Sequence, residues 1–220
     1  MALQKQQKKG VLSSIWNFLW YDDSFISWIL NVLIAFLLIK FVIYPGMGFL
    51  VGTQYPLVAV ISGSMDHELE ASMICGRIAS PEYSASFDDF WKECGSWYEN
   101  QNINKDTFAQ FPLKHGFRRG DIILLYGKKP ENINIGEIIV FSAVDTSRKP
   151  DPIIHRVIEV NKVSGQVKTK GDHNPTIIGD SIIAEHQIGY QRILGVAAFR
   201  LPYLGYVKIF AVDLLDSIRR

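Results

Sequence analysis

The segment Val58-Ala59-Val60-Ile61-Ser62-Gly63-Ser64-Met65 runs an apolar strand pattern into a turn of small residues. Such a passage can hold a serine hydroxyl and neighbouring backbone N–H groups toward a substrate, as an acyl-transfer nucleophile requires. Ser-Gly-Ser also makes ordinary turns. A serine hydroxyl is a poor nucleophile at neutral pH and needs a base. Of the five histidines, His155 stands out within Ile153-Ile154-His155-Arg156-Val157-Ile158, where alternation puts it on one strand face with Ile153 and Val157 and Arg156 on the other. A histidine at such a place is also a common core residue. Downstream, Thr169-Lys170-Gly171-Asp172-His173-Asn174 and Gly179-Asp180 each supply a carboxylate. A carboxylate can fix an imidazole tautomer, although Asx turns explain both aspartates as well.

Residues this far apart need a scaffold, and the chain after Pro45 reads as short strands at Leu57–Ile61, Ile122–Tyr126, Glu137–Phe141, Ile153–Val160, Gln166–Lys170 and Ile193–Phe199. Gly, Pro, Asp and Asn clusters separate them without regular helices between neighbours, which predicts a mainly β, antiparallel catalytic domain over 45–67 and 117–205. Segment 68–116 breaks the rhythm with helix-compatible stretches around Phe87-Asp88-Asp89-Phe90-Trp91 and Trp97-Tyr98, and reads as a partly helical inserted subdomain.

Ahead of the strands, the twenty residues 25–44 are apolar except for Ser27, Asn31 and Lys40. As a helix they span roughly 30 Å, about one bilayer core. A cleaved leader would have an apolar part of only about 7 to 15 residues ending at small residues, whereas this run ends in Tyr44-Pro45-Gly46. The reading is an uncleaved transmembrane anchor, against a buried core helix or a cleaved leader. Lys5, Lys8 and Lys9 precede it and no charge lies between Phe41 and Met65, so segment 1–24 is expected in the cytoplasm and the catalytic domain on the outer face of the cell membrane. Trp16, Trp20 and Tyr21 suit an aromatic belt on an interfacial helix. Segment 206–220 carries Lys208, Asp213 and Asp216, too many charges in too short a run for a second span, and reads as an amphipathic tail.

With 220 residues and 23 Lys+Arg against 22 Asp+Glu, the net charge is +1. That balance provides no basic field for nucleic acid, so no nucleic-acid partner is expected. Two cysteines, Cys75 and Cys94, are too few for a disulfide scaffold or a four-thiolate metal site. On the outward side they can pair or remain free thiols; zinc on His67, Cys75, Cys94 and His115 matches no common ligand spacing. No metal or cofactor is expected. Asn174-Pro175-Thr176 is barred from glycosylation by its proline.

Taken in order, the anchor, Ser62-Gly63-Ser64-Met65, Gly120-Asp121, Gly136-Glu137-Ile138-Ile139-Val140-Phe141, His155-Arg156-Val157, Thr169-Lys170-Gly171-Asp172 with Asp180, and Pro202-Tyr203-Leu204-Gly205-Tyr206 resemble signal peptidase I, in its archaeal and endoplasmic-reticulum branch. The resemblance covers most of the chain outside the insert. It implies a membrane-anchored serine endopeptidase that removes signal peptides from secretory preproteins, with the bilayer and the protein-translocation machinery as partners. By the same resemblance Ser64 is the nucleophile, His155 the general base, and Asp180, supported by Asp172, the orienting carboxylate. The Ser64 backbone N–H and the Ser62 hydroxyl would form the oxyanion site. The chain departs from the family in carrying Asp66-His67 and the insert where a proline follows soon after Met65. Two other readings stand beside it: a non-catalytic anchored β binding module, and a self-cleaving protease of the same broad fold that uses a lysine base.

Overall fold

The computed structural model describes residues 10–206, and the chain divides after Leu50 into an amino-terminal helical unit and a second unit carrying the sheet. The basic residues Lys5, Lys8 and Lys9 and the tail from 207 onward lie outside the described residues.

The first unit consists of α1 (Val11–Tyr21) and α2 (Phe25–Val51). Ser24 caps α2, accepting the Ser27 N–H at 3.3 Å. At 27 residues and mean hydropathy 2.5, α2 is long and apolar enough to cross a bilayer. The polar residues that interrupt its apolar run are matched to α1. Ser27 Oγ donates to Phe18 O and Asn31 Nδ2 to Leu19 O, each at 2.7 Å, so carbonyls left open at the end of α1 are paired by the next helix. Lys40 Nζ lies over the Phe36 and Phe41 rings.

The sequence predicts that this helix stops at Tyr44-Pro45-Gly46, but α2 continues to Val51. A proline inside a helix lacks one N–H and crowds the carbonyl four residues back. Here Ile39–Ile43 widens into a π-helical turn, with the Tyr44 N–H bonded to Ile39 O, and the wider turn makes room for the ring.

In the second unit, β1 (Leu57–Ala59) leads to a hairpin of β2 (Met73–Ile74) and β3 (Arg77–Ile78), then α3 (Phe87–Glu99) and α4 (Lys105–Ala109). There follow β4 (Ile122–Tyr126), β5 (Ile138–Phe141), β6 (Ile153–Asn161), β7 (Gln166–Lys170), β8 (Ile188–Gly189) and β9 (Ile193–Leu201). Seven strands form one antiparallel sheet in the order β1-β4-β9-β5-β6-β7-β8, with β1 and β8 at its edges. The mainly antiparallel β class expected from the strand spacing is the class observed. β8, only two residues long, escaped the sequence reading.

Both sheet faces are covered. On β5, Ile138 and Val140 join one apolar cluster with Val60, Met65 and Phe117, while Ile139 and Phe141 join another with Val157, Val167 and Ile188. Double coverage explains why β6 is buried without a break from Ile153 to Ile158. Arg156 does lie opposite His155 by alternation, yet it is fully buried because segment 68–116 covers that face.

The insert has a core of its own. Ser86 caps α3 by accepting the Asp89 N–H at 3.1 Å, and Asp88 and Asp89 complement the positive helix end. Asn104 caps α4 through the Thr107 N–H at 2.8 Å. Phe90, Trp91, Tyr98 and Phe108 pack with Ile74 and, from β6, Ile158. Cys75 and Cys94 are joined in a disulfide, with Cα atoms 5.7 Å apart and a sequence separation of 19. Restricting a loop of this length in the unfolded chain contributes about 3 kcal/mol. The double replacement Cys75→Ser/Cys94→Ser is therefore expected to lower unfolding free energy by about that amount, read as a lower denaturant midpoint at unchanged slope.

Candidate active site

Beyond β1 the chain stays tied to its neighbour: the Val60 N–H donates to Asp121 O and the Gly120 N–H to Val60 O, both at 2.9 Å. The small residues then allow a tight turn, closed by the Asp66 N–H on Gly63 O at 2.8 Å. Met65 plugs the core, its carbonyl accepting the Phe117 N–H at 3.0 Å, and Ser64 O accepts the His173 N–H at 2.9 Å. Ser64 is thus held from both sides of the turn.

His155, on β6, is 2% exposed and pairs across the ladder with Ile139. Its Nε2 lies 2.9 Å from Ser64 Oγ. Its Nδ1 contacts Glu185 Oε1. With Nδ1–H donating to a carboxylate, Nε2 is the acceptor for the Ser64 hydroxyl, the tautomer needed for proton removal. Ser62 Oγ sits 3.2 Å from Ser64 Oγ. Gly171 passes directly behind the pair. A Cβ there would fall 2.7 Å from Ser64 O and 2.8 Å from His155 Nε2, so only glycine permits this approach.

The carboxylate at His155 is not one of the two singled out from sequence. Asp180 is exposed, and its Oδ1 accepts the N–H groups of Ile182 and Ile183 at 2.9 and 2.6 Å. It organises the turn that delivers Glu185. Glu185 is fully buried, its Oε1 accepting the Thr169 hydroxyl at 2.9 Å and its Oε2 the Ile178 N–H at 2.6 Å. The one sequence signal for it was an acid placed directly after the apolar Ile182-Ile183-Ala184.

Asp172 faces away from His155 and into a buried network. It accepts Arg156 Nε at 2.9 Å and Nη2 at 2.7 Å, the Tyr98 hydroxyl at 2.9 Å, and pairs with His67 Nε2 at 3.1 Å. Burial favours the neutral acid, but the guanidinium and these hydrogen bonds outweigh it and hold Asp172 well below the usual carboxylate range. The remaining Arg156 donors reach Pro112 O, Gly136 O and Leu113 O, leaving the guanidinium fully paired. His67 stacks on Phe90 at 3.6 Å, and burial pushes its imidazole down.

Lys170 is also buried. Its Nζ donates to Gly171 O at 3.0 Å and Asp172 O at 3.1 Å and lies over the Trp97 and Tyr98 rings. Among the described residues, no three His, Cys, Asp or Glu groups are arranged to hold a metal.

A groove of about 220 Å³ opens at the Ser64–His155 pair. Its lining includes Val58 to Ile61, Ile153, Ile154, Ile178 and Ile183. A serine hydroxyl hydrogen-bonded to a buried, carboxylate-backed imidazole beside an apolar groove is the arrangement that serine hydrolases use.

The comparisons narrow this class. The signal peptidase complex catalytic subunit SEC11 of Komagataella phaffii is 31% identical over 135 residues, 56% of this chain and 75% of that protein. The Homo sapiens subunit SEC11C is 35% identical over 106 residues, covering 46% of this chain and 53% of the relative. The Lachancea thermotolerans SEC11 is 32% identical over 107 residues, 44% of this chain and 60% of that protein. This chain therefore spans three-quarters of the first relative and little more than half of the other two. No family model matches the chain. The chain belongs to the signal peptidase I family, in the branch of signal peptidase complex catalytic subunits, and is by class a serine endopeptidase.

Burial lowers Lys170 from 10.5 to about 8, against the pull of Asp172 and Glu185. Between those two values the unfolded chain holds the proton and the folded chain has lost it, so stability rises with pH across that window. Lys170→Met is expected to remove this rise, seen as a flatter plot of unfolding free energy against pH than that of the unsubstituted chain.

Proposed function

We propose that this chain is a membrane-anchored endopeptidase that removes signal peptides from secretory preproteins, with Ser64 as nucleophile, His155 as general base and Glu185 as its orienting carboxylate. The single observation that carries the reading is the hydrogen-bonded run Ser64 Oγ, His155 Nε2, His155 Nδ1, Glu185 Oε1 at the end of a strand-shaped groove.

In the proposed reaction, Ser64 Oγ attacks the carbonyl carbon while its proton passes to His155 Nε2. The carbonyl oxygen takes up negative charge, which the Ser64 N–H and the Ser62 hydroxyl stabilise. Collapse of the intermediate breaks the C–N bond, and the imidazolium gives its proton to the departing amine. Water, deprotonated by the same imidazole, then releases the acyl group. Glu185 stays ionised throughout and stabilises the imidazolium.

The groove accepts the residues preceding the cut as a strand laid beside β1, which is a sheet edge. Its shallow apolar walls suit small side chains at the first and third of these positions. The anchor is 25–44, crossing once, with 1–24 in the cytoplasm and the catalytic domain of 45–67 and 117–205 on the outer face. The Cys75–Cys94 disulfide supports that orientation, because such bonds persist in oxidising surroundings. With the nucleophile only twenty residues past Tyr44, cleavage occurs close to the bilayer surface, where the translocation machinery presents the precursor.

Ser64→Ala is expected to abolish cleavage of a precursor in trans by the detergent-solubilised chain, read by sequencing the new amino terminus; retained cleavage removes Ser64 from the mechanism. Glu185→Gln is expected to lower kcat by a factor of roughly 10² to 10⁴ with little change in KM, and Asp180→Asn to cost much less. Equal losses from the two substitutions would deny Glu185 its special role.

A further inference from the structure

Besides His155, the groove has one ionisable lining residue, Lys149. It is half-buried on the loop leading into β6, while its neighbour Arg148 points to solvent. The loop is folded upon itself, with the Lys149 N–H bonded to Asp145 O at 3.1 Å. Neither nearby acid pairs with it: Asp151 is exposed, and Asp145 Oδ1 takes the Ser147 hydroxyl and the N–H groups of Ser147 and Arg148. Among the described residues Lys149 has no ion-pair partner, and no carboxylate lines the groove.

An unmatched cation at the side of an apolar trough acts on whatever lies in the trough. Water is partly excluded there, so its field is stronger than at an open surface, favouring an acidic side chain and opposing a basic one. Its position sets the reach. Two stretches of the lining each end in chain order at the reacting pair, Val58 to Ser64 and Lys149 to His155. An extended strand advances about 3.3 Å per residue, and with strand only from Ile153 and a bend at Asp151 the six residues from Lys149 to His155 span at most about 20 Å, so a long-stemmed group there meets a substrate residue no more than about six positions from the bond cut.

We infer that Lys149 is a specificity-determining residue, selecting precursors with an acidic side chain at the fourth to sixth position before the cleavage site and disfavouring those with Lys or Arg there. This rests on the assignment, made above, of the groove to the residues preceding the cut.

The test uses the detergent-solubilised full chain and peptides that differ only in carrying Asp or Lys at the fourth, fifth or sixth position before the bond. The unsubstituted chain is expected to cleave the Asp peptide with a kcat/KM roughly three- to tenfold above that of the Lys peptide at one of these positions, the scale of a half-exposed ion pair. The ratio should shrink as salt is added and invert in Lys149→Glu. A ratio that is the same in both proteins overturns the inference. Binding of the same peptides to Ser64→Ala, with and without Lys149→Glu, reads the preference apart from the chemistry. Discrimination in binding that follows residue 149 without any cleavage by the unsubstituted chain would leave Lys149 a charge selector for bound peptides and overturn both its role in cleavage specificity and the enzymatic reading. Cleavage without such discrimination overturns the inference and leaves the enzymatic reading standing, and the absence of both removes the two together.

Discussion

The buried pair of Arg156 and Asp172 is the contact on which the second unit turns. Two charges removed from water are tolerable only when every donor and acceptor around them is matched, and breaking such a pair costs about 3 to 5 kcal/mol. Here the match is complete on the arginine side: from β6 it reaches partners in the loop after β7, the insert and the turn before β5. Segments far apart in the chain are therefore fixed to one point. The loop pinned by Asp172 also meets the Ser64 turn: Gly171 packs closely on Ser64 and His155, the Asp172 N–H lies 3.4 Å from Met65 Sδ, and the His173 N–H holds Ser64 O.

This arrangement gives the insert a physical task. Tyr98 and His67 reach Asp172 from its side, Phe108 lies under the Arg156 guanidinium at 4.7 Å, and the Cys75 N–H bonds to His173 O at 3.0 Å. The disulfide fastens that cysteine to α3. An aromatic core of its own lets the insert act as a lid on the polar network, excluding water and strengthening each interaction beneath it. The subdomain that interrupts the family pattern between Ser64 and His155 is also the body that shields the Arg156–Asp172 ion pair.

Much of the scaffold was legible in the residues. β4 and β7 coincide with the predicted strands, and β6 exceeds its prediction by one residue, because apolar runs bounded by turn residues leave little choice of conformation. The chain's continuation as helix through Pro45 was not legible, since a proline ends a helix unless an earlier turn widens, and that widening has no residue signature of its own. Arg156 was placed on the correct face by alternation, but its complete burial depends on a separate segment folding over it.

The sequence by itself determined the apolar anchor, the antiparallel strands, the small-residue turn at Ser64 and the mid-strand imidazole at His155, because each follows from local periodicity or local sterics. Which carboxylate meets that imidazole was decided only by tertiary structure. Three acids lie within fourteen residues of one another; Asp172 is drawn to Arg156, Asp180 is spent on its own turn, and Glu185 is the one carried to His155. Proximity along the chain does not distinguish them, because the choice rests on which distant partner the fold brings to each.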